Sequence, residues 1–397
     1  MCYAIPGKIT NIDDKIVTLD YFGEAKKARN EFYELSLGEY VYAQGGFIVS
    51  KIKESEALES LEAWKELFSK LKEIDRKLAF NPKDLHQTAN AVRQKHLGNA
   101  CCVHGIIEFS NYCTNDCLYC GIQNSNKKLK RYRMSIEEIV KAADNAVNKL
   151  GFKALVLQSG EDSRYTDEKL ADIVSGVRKK CECLLILSIG ERDINTYKKL
   201  YDLGARAVLL RFETADEKLY EKYRPGRHLK DRLELIRSLG KMGYLVMTGF
   251  LIGLPGQKEE DILKDIDLTA SLGAEMFSFG PFIAHPETAI GRGVLQYAPT
   301  ELLELSLNTI ARARIMYPEA KILATTALET LDKENGIKRA LMAGANSLMI
   351  NVTPDKYQVF YDIYPDRAGV GVDVKKKIDD TISLLRSIGR APTDLGI

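Results

Sequence analysis

Apolar positions along the chain follow three successive regimes. From residue 1 to about 52, β-branched and aromatic residues alternate with polar ones in short runs at 8–12, 15–21, 25–29, 40–43 and 47–51. Gly, Asn and Asp separate the runs, and the pattern predicts a small antiparallel, OB-like β-barrel. From Glu54 to His96 the period lengthens: Leu58, Leu61, Trp64, Leu67 and Leu71 recur at spacings of three and four, which predicts one helix. Asn81-Pro82 ends it, and a second helix is expected over 84–94. The segment lacks a Gly/Ser- or Pro-rich composition, so it reads as a packed connector rather than a free linker. Beyond residue 100, eight short apolar runs (105–109, 154–158, 184–188, 207–211, 245–250, 276–279, 322–325 and 347–351) are separated by amphipathic helical stretches. Strands alternating with helices eight times predict an α/β fold, a (β/α)8 barrel of TIM type. The expected domains are therefore 1–53, 54–99 and 100–397.

The unusual residues fall at one end of these runs. Cys113, the segment 158–162, Gly190-Glu191, Arg211-Phe212-Glu213, the segment 253–257, Gly280-Pro281, Thr325-Thr326 and Asn351 each end a run or follow it directly. In a parallel barrel that end is the catalytic face. Ser135 and Glu138, by contrast, form S-x-x-E before an apolar run, a helix-capping box that needs no chemical role.

Composition narrows the classes. The 397 residues are 45% hydrophobic, enough for a large core, and Lys+Arg 57 against Asp+Glu 55 gives a net charge of only +2. That balance supports neither a nucleic-acid nor a membrane partner. The basic run 127–131 reads as a solvated loop or a charge near a cofactor. No apolar run reaches the length of a membrane span and the start lacks a signal-peptide pattern, so a cytoplasmic protein is expected. Eight cysteines in that setting serve metals rather than disulfides.

Three of them are spaced CxxxCxxC: Cys113, Cys117 and Cys120. Thiolates at this spacing reach three irons of a [4Fe-4S] cube and leave the fourth without a protein ligand, open to chelation by a small molecule. Three packing thiols or an incomplete zinc site are the bland alternatives, but zinc sites normally come as two ligand pairs. The spacing resembles that of the radical S-adenosylmethionine (SAM) enzymes, a resemblance that implies reductive cleavage of SAM to a 5′-deoxyadenosyl radical and an anaerobic setting. On the same resemblance Tyr119 belongs to the cofactor contacts, and Gln158, Gly160 and Glu161 correspond to the Gly-Glu segment that meets the methionyl amine. Strand alternation would put Arg211 and Glu213 on one face of the barrel mouth. With Arg232 they are expected to supply a guanidinium fork for the SAM carboxylate and an acceptor for its amine or ribose.

Two narrower resemblances follow. The opening 1–8 with Leu37-Gly-Glu-Tyr-Val and Gly46-Phe47-Ile is similar to the HypC family of hydrogenase maturation chaperones, which implies an iron-holding role for Cys2. Where that family has a histidine, this chain has Gln44, a poorer iron ligand. The blocks at 106–121, 131–135, 158–162, 211–214, 253–257, 280–286 and 324–327 resemble the HydE family of [FeFe]-hydrogenase maturases over nearly all of 100–390. This implies a small-molecule or organometallic iron substrate bearing cysteine, CO and cyanide, and other hydrogenase maturation proteins as partners. Met276, Thr325 and Thr326 are carried over as substrate contacts, the two hydroxyls as donors to a carboxylate. His104 stands near the position of a family arginine, a change that removes a permanent bidentate clamp. That departure favours an alternative, an amino-acid substrate as in the methylornithine synthase that also resembles HydE. A scaffold holding an iron cofactor without turnover is the other alternative. Cys101, Cys102, Cys181 and Cys183 read as small packing residues, and His285 as a hydrogen-bonded loop histidine.

Overall fold

The structure, a computed structural model, describes residues 3–79, 83–293 and 296–395. Cys2 and the Asn81-Pro82 helix break lie outside the described residues. Strands β1 (Gly7–Asp13), β2 (Ile16–Tyr21), β3 (Glu24–Arg29), β4 (Tyr40–Gln44) and β5 (Phe47–Ile52) close into a barrel in the order β1-β2-β3-β5-β4. Alternate residues of β2, Val17, Leu19 and Tyr21, fill its core. The pairing is antiparallel except where β3 meets β5 at Arg29 and Phe47, the one parallel contact, which closes the ring.

Helix α1 (Glu54–Ala79) buries Ala57, Trp64, Phe68, Leu71 and Asp75, whereas Leu58 remains 49% exposed. Of the apolar stripe, Trp64 and Leu71 are buried and Leu61 and Leu67 pack against the same cluster, so only Leu58 is left outside. Helix α2 (Leu85–Leu97) starts at Asp84, whose carboxylate accepts from the Gln87 N–H at 2.9 Å. Arg93 of α2 grips Asp75 through both Nη atoms, at 2.8 and 2.7 Å, and Arg390 from the far end of the chain adds Nε at 3.1 Å. This buried knot ties the connector to the large barrel.

In the large barrel, β6 (Ala100–Ser110), β7 (Ala154–Ser159), β8 (Leu184–Ser188), β9 (Ala207–Leu209), β10 (Leu245–Thr248), β12 (Met276–Phe277), β14 (Lys321–Ile322) and β15 (Ser347–Asn351) run parallel in the order β14-β12-β10-β9-β8-β7-β6-β15. The ends nearly close: Ala324 N–H donates to the Ser347 carbonyl at 2.8 Å and Asn346 N–H to that of Ile322 at 3.0 Å. Two short strands, β11 (Leu251–Ile252) and β13 (Gly280–Pro281), pair with each other beyond the upper ends of β10 and β12, and β16 (Ala391–Pro392) pairs with the lower end of β6. Eight apolar runs have become the eight barrel strands because each is bounded by turn residues and too short for a helix.

The small barrel stoppers the lower end of the large one. Phe47 and Val49 of β5 share a hydrophobic cluster with Cys102, Ala154, Leu184, Ala207 and Met276, all from the lower halves of barrel strands. Charged contacts ring this seam: Glu31 pairs with Arg206, and Phe32 lies 4.9 and 4.7 Å from the guanidinium carbons of Arg178 and Arg206. The upper end is left for chemistry. Among the described residues no helix is long and apolar enough to cross a membrane.

Candidate active site

The loop after β6 carries Cys113, Cys117 and Cys120. Its backbone is pinned from several sides: Thr114 N–H donates to the Glu161 carbonyl (3.0 Å), Leu118 N–H to Tyr223 (2.9 Å) and Gly121 N–H to Ile363 (2.9 Å). Arg131, from the basic run, donates to the carbonyls of Asn111, Ile122, Gln123 and Asn126, the Ile122 contact at 2.8 Å. A guanidinium whose donors are taken by loop carbonyls braces the loop rather than facing solvent. The helix that follows, Ile136–Asp144, starts at a reciprocal Ser135–Glu138 capping box.

Burial pushes all three thiols up, and for Cys117 and Cys120 the neighbouring cysteines add to the effect. Such a trio is stable as thiolates only around a cation. Among the described residues, the trio of metal-binding atoms that lie within 4.8 Å of one another is Cys102, His104 and Asp394. Cys113, Cys117 and Cys120 lie on one pinned loop, close enough to act on one another electrostatically, and three such thiolates can each take a separate iron of one cluster. The residues present therefore fit an iron–sulfur cluster.

Beside the loop, Gly160 leaves no room for a side chain: a Cβ there would stand 2.3 Å from the Tyr112 carbonyl oxygen and 2.9 Å from the Cys113 Cβ. Glu161 accepts the Glu191 N–H at 2.9 Å and faces Arg224, Arg227 and Arg232 at 3.9, 3.5 and 3.9 Å. Arg232 gives its Nε to Glu191 at 2.8 Å. Arg232 thus projects from the helix Leu229–Met242 into the layer of Glu161 and Glu191.

Arg211 and Glu213 do face each other, with Nη2 and Oε2 3.0 Å apart. Strand alternation is not the cause, because β9 stops at Leu209 and Glu213 takes a left-handed φ of 68°. The pair is close but not aligned for a hydrogen bond, and Glu213 Oε2 and Arg211 Nε have no hydrogen-bond partner among the described residues. Both border a cavity of about 300 Å³ at the barrel's upper end, with Tyr119, Cys120, Gln158, Thr325 and Thr326. Thr325 is the N-cap residue of the helix Thr326–Leu331, but its side chain makes no capping hydrogen bond, and its buried Oγ1 likewise has no hydrogen-bond partner among the described residues.

Two expected substrate residues lie elsewhere. His104 and Met276 are on the lower halves of β6 and β12 and border a separate small chamber at the seam between the barrels. His104 lies in the lower half of β6 (Ala100–Ser110), well below the upper end that leads into the cysteine loop. What the sequence reading missed is Glu108, buried in the cavity wall and held by Arg367 and by Asn351 Nδ2 at 2.9 Å. An acidic residue inside an apolar run signals Glu108, but no local pattern points to Arg367, 259 positions away. His285 is hydrogen-bonded as expected, Nε2 to Asp362 at 3.0 Å.

A three-thiol loop poised over a parallel barrel's upper cavity defines the class: an iron–sulfur enzyme of the radical SAM type. The radical SAM superfamily pattern matches residues 107–269, and that of the HupF/HypC family residues 1–64. The chain is 38% identical to the [FeFe] hydrogenase maturase subunit HydE of Thermotoga maritima over 78% of its length and 86% of that protein. It is 32% identical to 3-methylornithine synthase of Methanosarcina acetivorans over 66% of its length and 72% of that protein. The crystal structure of methylornithine synthase superposes with a TM-score of 0.68 at 26% identity, covering 82% of this chain and 97% of that one. The protein belongs to the radical SAM superfamily, among the relatives of HydE, and carries a HupF/HypC domain at its N-terminus. Membership implies an iron–sulfur cluster and SAM as its cofactors.

Proposed function

We propose that Cys113, Cys117 and Cys120 hold a [4Fe-4S] cluster and that the enzyme cleaves SAM to act on an organometallic iron complex during hydrogenase maturation. When bound, the cluster supplies the electron for reductive cleavage of SAM. The observation that carries the reading is the cavity beside Cys120, where Arg211 Nε, Glu213 Oε2, Thr325 Oγ1 and Arg367 Nε are buried with no hydrogen-bond partner among the described residues, Glu213 Oε2 meeting Arg211 Nη2 only as an ion pair. Unmet donors and acceptors in one enclosed space mark where ligand groups complete the hydrogen bonding.

The chain's own groups divide the work. Arg211 offers a donor to a carboxylate, and Glu213 an acceptor to an ammonium or hydroxyl group of SAM. Gln158, whose Oε1 accepts from Ser188 Oγ at 3.2 Å, keeps its amide available to the cavity. On the opposite wall Thr325 and the Glu108–Arg367 pair suit a substrate carrying a carboxylate and an amine, as a cysteine-bearing iron complex does. The similarity to HydE and the HupF/HypC domain support maturation as the setting. Other maturation proteins are the proposed partners.

The second reading, an amino-acid substrate, rests on the similarity to 3-methylornithine synthase. His104 no longer favours it, because that residue does not reach the cavity. The test is anaerobic reconstitution, reduction with SAM, and quantification of 5′-deoxyadenosine with and without a synthetic iron–cysteine complex bearing CO and cyanide. Stimulation by the complex supports maturation. Stimulation by a free amino acid alone, with a new amino-acid product found by mass spectrometry, would transfer the proposal to the amino acid, and no cleavage by an intact cluster would refute both.

A further inference from the structure

Beneath the catalytic cavity, at the seam between the barrels, is a second enclosed chamber that the radical chemistry does not use. It is bordered by Cys102 and His104 of β6, by Asp394 just beyond β16, and by Gln44 of the small barrel. Cys102 and His104 are two residues apart on one strand, so both side chains point the same way. The β16–β6 pairing brings in Asp394, and Thr393 N–H fixes the register by donating to the Cys101 carbonyl at 2.9 Å.

We propose that Cys102, His104 and Asp394 bind one divalent transition-metal ion, such as zinc or ferrous iron, under the lid formed by Gln44. Their ligand atoms all lie within 4.8 Å of one another. His104 Nε2 and Asp394 Oδ2 are 3.3 Å apart, and the usual bond lengths place N and O ligands of a tetrahedral ion roughly 3.3 Å apart, with sulfur at roughly 3.6 Å. Closing the trio onto an ion therefore takes side-chain movements of about an ångström or less. The chamber's volume of about 10 Å³ is that of a single water-sized occupant.

Two further buried side chains border the chamber with a polar atom unmet. His104 is 3% exposed and its Nδ1 has no partner among the described residues, and Gln44 is 1% exposed with Nε2 equally unpartnered. Charge also balances: one thiolate and one carboxylate neutralise a divalent ion, while the adjacent Lys321 is already paired with Glu275. Thr393 Oγ1 donates to Asp394 Oδ2 at 2.8 Å, the outer contact that orients a ligating carboxylate. A soft thiolate with imidazole and carboxylate selects zinc or iron over magnesium or calcium. The turn at Gly45, whose Cβ would stand 2.7 Å from Leu184 Cδ2, presses Gln44 over the chamber, so the ion would sit where the two barrels join.

The test does not depend on the radical reaction. The full chain carrying Cys113→Ala, Cys117→Ala and Cys120→Ala is expressed in cobalt-supplemented medium, so that the ion enters during folding and the loop thiols contribute nothing. One equivalent of cobalt per chain, with a near-ultraviolet thiolate-to-cobalt charge-transfer band, is expected. Adding Cys102→Ser should abolish the band, and adding His104→Gln should weaken retention of the ion, with far-ultraviolet circular dichroism unchanged. A folded chain without cobalt, or a band that survives Cys102→Ser, overturns the proposal. In the otherwise unaltered chain, Cys102→Ser should lower zinc plus iron by one equivalent while cluster absorbance is kept, and an unchanged metal count there would also overturn it.

Discussion

Gly160→Ala tests whether the packing beside Cys113 sets the geometry of the cluster loop. The new Cβ would stand 2.3 Å from the Tyr112 carbonyl oxygen and 2.9 Å from the Cys113 Cβ. Carbon–oxygen contacts settle at about 3.3 Å or more, so the two segments must part by about 1 Å. Neither can yield cheaply, because the obstacle is backbone and both strands are tied: Gly160 N–H donates to the Ser110 carbonyl at 3.1 Å and Thr114 N–H to that of Glu161 at 3.0 Å. Overpacking of this kind costs about 1–3 kcal/mol of stability, which a chain of this size should survive as a folded protein. The larger effect is on positioning, since displacing a cluster ligand by about 1 Å is expected to slow SAM cleavage about 10²-fold. The assay is iron per chain after anaerobic reconstitution, together with the rate of 5′-deoxyadenosine formation. Gly240→Ala is the control, because this helical residue's Cβ would meet Val246 Cγ2 at 3.6 Å, an ordinary contact. A Gly160→Ala protein with full iron and a rate within about twofold of the parent, a barrier change of under about 0.5 kcal/mol, would refute the reasoning.

Three other outcomes are expected. Thr325→Val replaces an unpartnered buried hydroxyl, so thermal stability should hold or rise by up to about 1 kcal/mol, while substrate-stimulated 5′-deoxyadenosine formation falls about tenfold. Asp75→Asn leaves the buried Arg93 and Arg390 without their carboxylate, and urea unfolding should show a loss of about 3–5 kcal/mol. Burial raises the carboxyl of Asp265 to about 7, although the Ala215 N–H and the Gln257 amide donate to it. The folded state therefore binds this proton more tightly than the unfolded one, so its stabilising effect is full below about pH 4 and is lost as pH rises to about 7. Asp265→Asn should remove that decline, roughly 4 kcal/mol at 1.36 kcal/mol per pKa unit, and parallel unfolding curves for the two proteins across that range would refute the assignment.

The chain's local patterns determined its architecture. Alternation marked the small barrel, eight apolar runs marked the strands of the large one, and CxxxCxxC marked the three-thiol loop at the barrel's upper end, because each signal is carried by neighbours within a few residues. Tertiary structure decided what depends on register and on distant partners. His104 lies on the lower half of β6, where the pairing with β16 and the small barrel enclose it at the floor and away from the upper cavity. Arg232 turned to Glu191 because its helix faces that layer. Glu213 reached Arg211 through a left-handed backbone that no residue-type preference announces. Glu108 found Arg367, and His104 found Asp394, across more than half the chain. Such pairs are created only when the barrel closes, since nothing in a short stretch of sequence specifies which buried charge a folded chain will bring to meet it.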